Sequence, residues 1–171
     1  MEGNYCYQYP HPAITADCLV FACDGAVTKL LLIERRHEPC KGRWAFPGGF
    51  MNINETADAA ARRELQEETG LTVGELHQVG AYTAVERDPR ERVVTIAYYA
   101  ELDSVAAVEA ADDACRACWW SLDDLPELAF DHAEILRDAL EKRKYKFPRQ
   151  AVNGTANEGK HPRVGLEDSP L

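Results

Sequence analysis

The feature that most constrains this fold is a helix pattern over residues 54–69. Thr56 is a suitable N-cap, the residues after it are rich in Ala, Leu and Glu, and Gly70 ends the pattern. Three glutamates of this helix occupy positions i, i+3 and i+4, namely Glu64, Glu67 and Glu68. At about 100° per residue they lie within roughly 100° of arc on one face. Their mutual repulsion means that this face is either fully solvated or neutralised by cations.

Strand patterns surround this helix on both sides. Residues 13–22, with Asp17 in their middle, and residues 29–34 flank a turn signal at Cys23-Asp24-Gly25, which predicts a hairpin. Further strands are predicted over residues 75–85, 93–102 and 115–121, and a second helix over residues 131–146. This order predicts an α/β fold in which a mixed β-sheet is sandwiched by helices.

The composition narrows the class of protein. The 171 residues include 29 acidic and 19 basic side chains, and this net charge of -10 argues against a nucleic-acid partner bound through its phosphates. An acidic chain can still handle phosphates when divalent cations bridge the like charges. No apolar run approaches the ~20 residues of a membrane span, so no membrane association is expected.

The cysteines indicate a reducing compartment. Six cysteines without an apolar leader segment predict a cytoplasmic chain without a disulfide framework. Cys115 and Cys118 form a single CxxC motif, and their odd offset sends the two thiols to opposite faces of a strand. This spacing does not favour a zinc or redox site.

The spacing around the helix resembles a known signature. Gly49, five residues, Glu55, seven residues and then the run RELQEETGL from Arg63 resemble the complete signature of the Nudix hydrolases. The resemblance implies an α/β/α sandwich with a mixed sheet over residues 1–147, and metal-dependent hydrolysis of a nucleoside diphosphate linked to another group. Residues 148–171, with three prolines and three glycines, are predicted to be a mobile or surface-lying tail.

The resemblance also implies a site. Its cofactor is Mg²⁺ or Mn²⁺, with a ligand set of Glu64, Glu67, Glu68 and the carbonyl of Gly48. Arg63 and Glu55 are the other implied catalytic residues, and their side chains can pair to fix the loop against the helix. The base that activates water lies either in the signature or in a later loop, where the candidates are Glu109, Asp112 and Asp113.

Four further segments are similar to bacterial ADP-ribose pyrophosphatases and to the Nudix part of NAD-linked regulators: residues 9–13, 44–50, 87–90 and 128–132. The expected reaction is therefore ADP-ribose to AMP and ribose 5-phosphate. Two alternatives stay open. One is a Nudix enzyme acting on oxidised nucleoside triphosphates or a pterin triphosphate, and the other is a non-catalytic ADP-ribose sensor. The resemblance also implies a homodimer with a small-molecule nucleotide as substrate.

Substrate contacts are predicted from side-chain chemistry. Arg87 and Arg90 offer planar donors suited to phosphate or ribose, and Arg43 is a similar candidate. His132, at a helix start, can contact phosphate or ribose, or it can simply cap or pack. The aromatic candidates for stacking on adenine, which also suit a core, are Trp44, Phe46, Tyr82, Trp119 and Trp120.

Overall fold

The computed structural model describes residues 7–109 and 114–146, which form seven strands and two helices. In chain order these are β1 (Ala13–Asp24), β2 (Val27–Arg35), β3 (Trp44–Ala45), β4 (Gly48–Phe50), α1 (Ala57–Thr69), β5 (His77–Tyr82), β6 (Val93–Leu102), β7 (Ala114–Ser121) and α2 (His132–Lys146). The predicted tail, residues 148–171, lies outside the described residues. Each predicted strand and helix is present, with ends shifted by a few residues.

Helix α1 has both of the predicted caps. The Thr56 hydroxyl accepts a hydrogen bond from the N–H of Ala59, and Gly70 ends the helix with a φ of 69°. Residues 54 and 55 stay outside the helix because the Glu55 carboxylate accepts the N–H of Asn52 at 2.6 Å and closes a turn before it. The caps, rather than the composition of the flanking residues, therefore set the start of the helix.

The predicted hairpin of β1 and β2 is confirmed. Away from the turn, these two strands separate from each other. β1 pairs with β6 in parallel along one edge, over residues 13–22. On its other edge β1 pairs with β2 only over residues 21–24 and with β4 over residues 15–17. The segment 44–50 fills the gap between the diverging strands, since β3 pairs with β2 and the N–H of Cys18 donates to the carbonyl of Pro47 at 2.8 Å.

The two helices cover opposite faces of this sheet. Alternate residues of β1 face alternate layers because side chains of a strand alternate in direction. Cys18 and Val20 pack in one core with Leu65 of α1, whereas Leu19 packs with Ile135 of α2. The predicted α/β/α sandwich with a mixed sheet is thus confirmed.

Two further observations concern the cysteines and the helices. Cys118 is a free thiol in β7 that packs against the α2-side core. Within the described residues, neither helix combines the length and the apolar character required to cross a bilayer.

Candidate active site

A cavity of about 420 Å³ opens where β1 and β2 diverge. Its lining carries charges of both signs. The acidic lining residues are Asp17, Glu38, Glu64, Glu68 and Asp88. The basic ones are Arg35, Arg36, Arg63, Arg87 and Arg90, with His37 and His132 beside them. Such a lining can hold a cation on carboxylates and a phosphate on guanidinium groups.

Arg63 connects the carboxylates of α1 to the loop before it. Its Nη1 donates to Glu64 Oε1 at 2.6 Å and to Glu67 Oε2 at 3.0 Å. Its Nη2 donates to Glu55 Oε1 at 2.6 Å and to the carbonyl of Phe50 at 3.1 Å. One planar guanidinium therefore fixes three carboxylates and the end of β4, which confirms the predicted pairing of Arg63 with Glu55.

Glu55 is held in its ionised form. The hydrogen bonds from Arg63, followed by that from the N–H of Asn52, lower the pKa of Glu55 to about 2. The hydrogen bond to Glu55, followed by those to Glu64 and Glu67, raises the pKa of Arg63. Glu55 is therefore an anchor for Arg63 and is poorly suited to carry protons near neutral pH.

Glu64 and Glu68 both belong to α1, and their side chains line the cavity. Glu68 Oε2 accepts the N–H of Gly48 at 2.9 Å. Burial, together with the negative charges of Glu64 and Asp17, raises the pKa of Glu68 to about 8. Burial also raises the pKa of Glu64. Both carboxyl groups therefore bind a proton more readily than an exposed glutamate does.

The raised pKa of Glu68 predicts a pH-dependent stability in metal-free protein. Because its pKa in the folded state is about 8 against an ordinary 4.5, the folded protein keeps a proton that the unfolded chain has released. The contribution of Glu68 is therefore most favourable below pH 4.5, and stability falls as the pH rises from 4.5 through 8. Urea unfolding with EDTA at pH 5 and pH 8 measures the fall. Glu68→Gln should reduce this fall in stability. An equal fall in wild type and Glu68→Gln would contradict the prediction.

Two glycines let the backbone approach these carboxylates. A Cβ added to Gly49 would lie 2.6 Å from the carboxyl carbon of Glu64. A Cβ added to Gly48 would lie 2.5 Å from Asp17 Oδ1 and 2.5 Å from the carbonyl oxygen of Ala16. Neither position has space for a side chain, so glycine at both allows β4 and α1 to meet at the cavity.

Gly49→Ala is expected to lower catalytic activity at least tenfold while the fold survives. The group that must move is the end of the flexible Glu64 side chain, so the cost falls on the carboxylate position rather than on the core. Steady-state kinetics with thermal unfolding separates the two effects. Gly74→Ala is the matched control, because nothing lies within 4 Å of its added Cβ. Equal activities in the two variants would contradict the prediction.

The cavity fits a divalent cation, although its ligands are not gathered in advance. No three Asp, Glu, His or Cys side chains within residues 7–109 and 114–146 are grouped as a metal cage. Mg²⁺ does not require such a cage, because it keeps several waters and commonly takes one or two carboxylates. Glu64 and Glu68 supply such oxygens from half-buried positions in the cavity wall. Glu67 is half exposed and does not line the cavity.

Arg87 and Arg90, two predicted substrate contacts, line the cavity, but each already binds a carboxylate. Arg87 is almost fully buried and donates to both oxygens of Asp131, at 2.7 and 2.9 Å. Arg90 donates to both oxygens of Asp88, at 2.7 and 3.0 Å, and its guanidinium carbon lies 5.5 Å from the centre of the Phe50 ring. These pairs fix where the guanidinium groups lie at the cavity wall.

His132 and Phe46 also line the cavity, as a stacked pair. Their ring centres are 4.5 Å apart and nearly parallel, and His132 Nδ1 accepts the N–H of Phe46 at 3.1 Å. Burial lowers the pKa of His132, which favours the neutral ring that this acceptor role needs. The packing alternative for His132 therefore describes its observed contacts, and its ring holds the 44–50 segment in place.

Arg43, a predicted substrate contact, does not line the cavity. Its guanidinium binds Glu127 at 2.9 Å, away from the lining. Arg35 and Arg36, at the end of β2, line the cavity instead. Arg35 donates from Nε to the carbonyl of Pro39 and lies 4.8 Å from the centre of the Phe130 ring. The signal in the sequence was the pair of arginines that follows a buried strand.

The other candidate side chains lie elsewhere. Trp44 and Trp120 pack edge to face in the core, and Trp119 packs on the α1 side. Tyr82 donates its hydroxyl to Asp138. Among the proposed bases, Glu109 is exposed outside the cavity lining. The remaining two, Asp112 and Asp113, lie outside the described residues.

The comparison with known families decides the identity of this fold. The sequence model of the NUDIX domain matches residues 11–139. The chain belongs to the Nudix family. In this Nudix protein the signature covers the end of β4, the loop after it and α1, and residues of the signature form one wall of the cavity. Nudix hydrolases use divalent metal ions, which agrees with the all-oxygen chemistry of Glu64 and Glu68.

Individual relatives point to ADP-ribose. The chain is 40% identical over 133 residues to the ADP-ribose pyrophosphatase of Methanocaldococcus jannaschii, covering 77% of this chain and 75% of that protein. It is 34% identical to the ADPR responsive transcriptional repressor NtrR of Acinetobacter baylyi, covering 78% of this chain and 55% of that protein. The NUDIX domain of Shewanella oneidensis NrtR, solved with ADP ribose, has a TM-score of 0.76 and 29% identity, covering 82% of this chain and 94% of that one.

Proposed function

We propose that this Nudix protein hydrolyses ADP-ribose to AMP and ribose 5-phosphate, with Mg²⁺ or Mn²⁺ as cofactor. The observation that carries the proposal is the cavity in which Glu64 and Glu68 lie among guanidinium groups. The choice of ADP-ribose as the substrate is supported by the 40% identity with an ADP-ribose pyrophosphatase and by the structural similarity to a domain solved with ADP ribose.

Each side chain has a separate role in this proposal. Glu64 and Glu68 hold the cation, with the carbonyl of Gly48 and Glu67 as further proposed ligands. When bound, the cation offsets charge on the diphosphate and makes water easier to deprotonate. Arg63 keeps the carboxylates in position.

Guanidinium groups at the cavity wall supply the positive charge of the site. Arg35 is the last residue of β2 and Arg36 follows it, whereas Arg90 lies in the loop between β5 and β6. We propose that these groups bind the diphosphate, since planar donors suit phosphate oxygens. Arg87 contributes positive charge from its fixed place beside Asp131.

Product analysis tests the reaction directly. The purified protein is incubated with Mg²⁺ and each of ADP-ribose, NADH, diadenosine polyphosphates and nucleoside triphosphates, and products are followed by phosphorus NMR. We expect ADP-ribose to be cleaved fastest and to yield AMP. Preference for a triphosphate would replace the substrate but keep the reaction class. Tight binding of ADP-ribose without cleavage would indicate a sensor, as in the repressor that this chain resembles.

We also propose a homodimer in the cytoplasm that acts on free nucleotides and does not bind nucleic acid. The net charge of -10 disfavours phosphate-backbone binding, and Cys18, Cys23, Cys40 and Cys118 are free thiols. Sedimentation velocity tests the dimer, which predicts a mass twice the 19.1 kDa of one chain.

A further inference from the structure

Asp17 is a buried carboxylate that no role described so far requires. It lies in β1 with 7% of its surface exposed and lines the cavity. Its Oδ2 accepts the hydroxyl of Thr95, in β6, at 2.5 Å. Among the described residues, no donor reaches its Oδ1. A carboxylate this buried is costly unless its charge is compensated.

A structural role does not explain this carboxylate. β1 and β6 are already joined by a continuous parallel ladder over residues 13–22, so one side-chain hydrogen bond adds little to their pairing. Leu19 and Phe21, the next residues on the same face of β1, are apolar and belong to the core. A charged side chain at Asp17 does not match this apolar face. Asp17 instead interrupts this apolar face where the face reaches the cavity.

The position of Asp17 relates it to the cation site. Its Oδ1 lies against the Cα of Gly48, so closely that a Cβ there would be 2.5 Å away. The N–H of the same Gly48 donates to Glu68. Asp17 and Glu68 therefore contact one glycine, and Asp17 adds negative charge to the pair formed by Glu64 and Glu68.

We propose that Asp17 is a positioning residue of the cation site, whose Oδ1 accepts hydrogen bonds from the water shell of a cation held by Glu64 and Glu68. The inference rests on the proposed function in requiring that cation. The Gly48 backbone lies next to the side chains of both Asp17 and Glu68. A contact between Asp17 and the cation through water fits this arrangement, because Mg²⁺ retains several waters. Thr95 fixes the carboxylate by occupying its other oxygen.

Mn²⁺ binding to the nucleotide-free protein tests this inference. Free Mn²⁺ is titrated by electron paramagnetic resonance with wild type and Asp17→Asn, which keeps the shape and the acceptor for Thr95 but removes the charge. We expect the Kd for Mn²⁺ to rise roughly 10- to 100-fold. Thermal unfolding without metal should not show a lower Tm, because a buried negative charge has been removed. Asp124→Asn, an exposed aspartate outside the cavity, is the matched control.

A second pair of variants tests the anchor. Thr95→Val removes the hydroxyl and should weaken Mn²⁺ binding severalfold, whereas Thr95→Ser should retain wild-type affinity. This pair decides the question if Asp17→Asn does not fold. Equal Mn²⁺ affinity in wild type, Asp17→Asn and Thr95→Val would overturn the inference and leave the proposed function intact. Absence of Mn²⁺ binding in wild type would overturn the inference, whereas the proposed function is overturned only if ADP-ribose is not cleaved with Mg²⁺ or Mn²⁺.

Discussion

Glu68→Gln is expected to lower kcat for ADP-ribose roughly 10³-fold, because a cation site contributes several kcal/mol of charge stabilisation in the transition state. Glutamine keeps the size of the side chain and can still accept the N–H of Gly48. The substitution therefore removes the charge and leaves the contact. Initial rates at saturating Mg²⁺ give the size of the loss.

The control for this variant is Glu141→Gln, an exposed glutamate on α2 outside the cavity lining. It should retain wild-type kcat. Full activity of Glu68→Gln would show that the reaction does not depend on this carboxylate. A loss that extra Mn²⁺ restores would instead place its effect on metal affinity, which is part of the same role.

Arg63→Lys is expected to lower kcat/KM about 10²-fold, since small displacements of positioned groups have effects of this size. The guanidinium of Arg63 donates to Glu55, Glu64 and Glu67 at once. A lysine ammonium is a compact charge and cannot span these partners with the same geometry. Kinetics measured together with the Kd for Mn²⁺ should show both parameters worsen.

A neighbouring arginine supplies the control for this second variant. Arg62 lies on the same helix and donates to the carbonyl of Val73 at 2.7 Å, outside the cavity lining. Arg62→Lys should reduce stability slightly and leave kcat/KM near its wild-type value. Equal losses in the two variants would mean that Arg63 acts through helix stability alone.

Local patterns made α1 and its glutamates predictable. Caps and helical spacing act over a few residues, so Thr56, Gly70 and the carboxylate face follow from neighbouring sequence. Spacing does not say which side of that face meets the cavity. Glu64 and Glu68 line it, whereas Glu67, at the other edge of the arc, is half exposed.

Contacts between distant segments were not predictable in the same way. The role of Arg43 depended on where β1 and β2 diverge, which brings Arg35 to the cavity and leaves Arg43 beside Glu127. Arg87 binds Asp131, 44 residues away. Nothing in its local sequence indicates that partner, because pairing over such a distance is set by the whole sheet.

The parallel ladder between β1 and β6 has a consequence during synthesis on the ribosome. Thr15 and Thr95, which are opposite one another, are 80 residues apart. At ordinary translation rates of about 5 to 20 residues per second, β1 waits roughly 4 to 16 s for its partner. During that interval an apolar strand has one edge without its native neighbour, a template for aggregation. The yield of active protein should therefore improve when nascent chains are protected by chaperones.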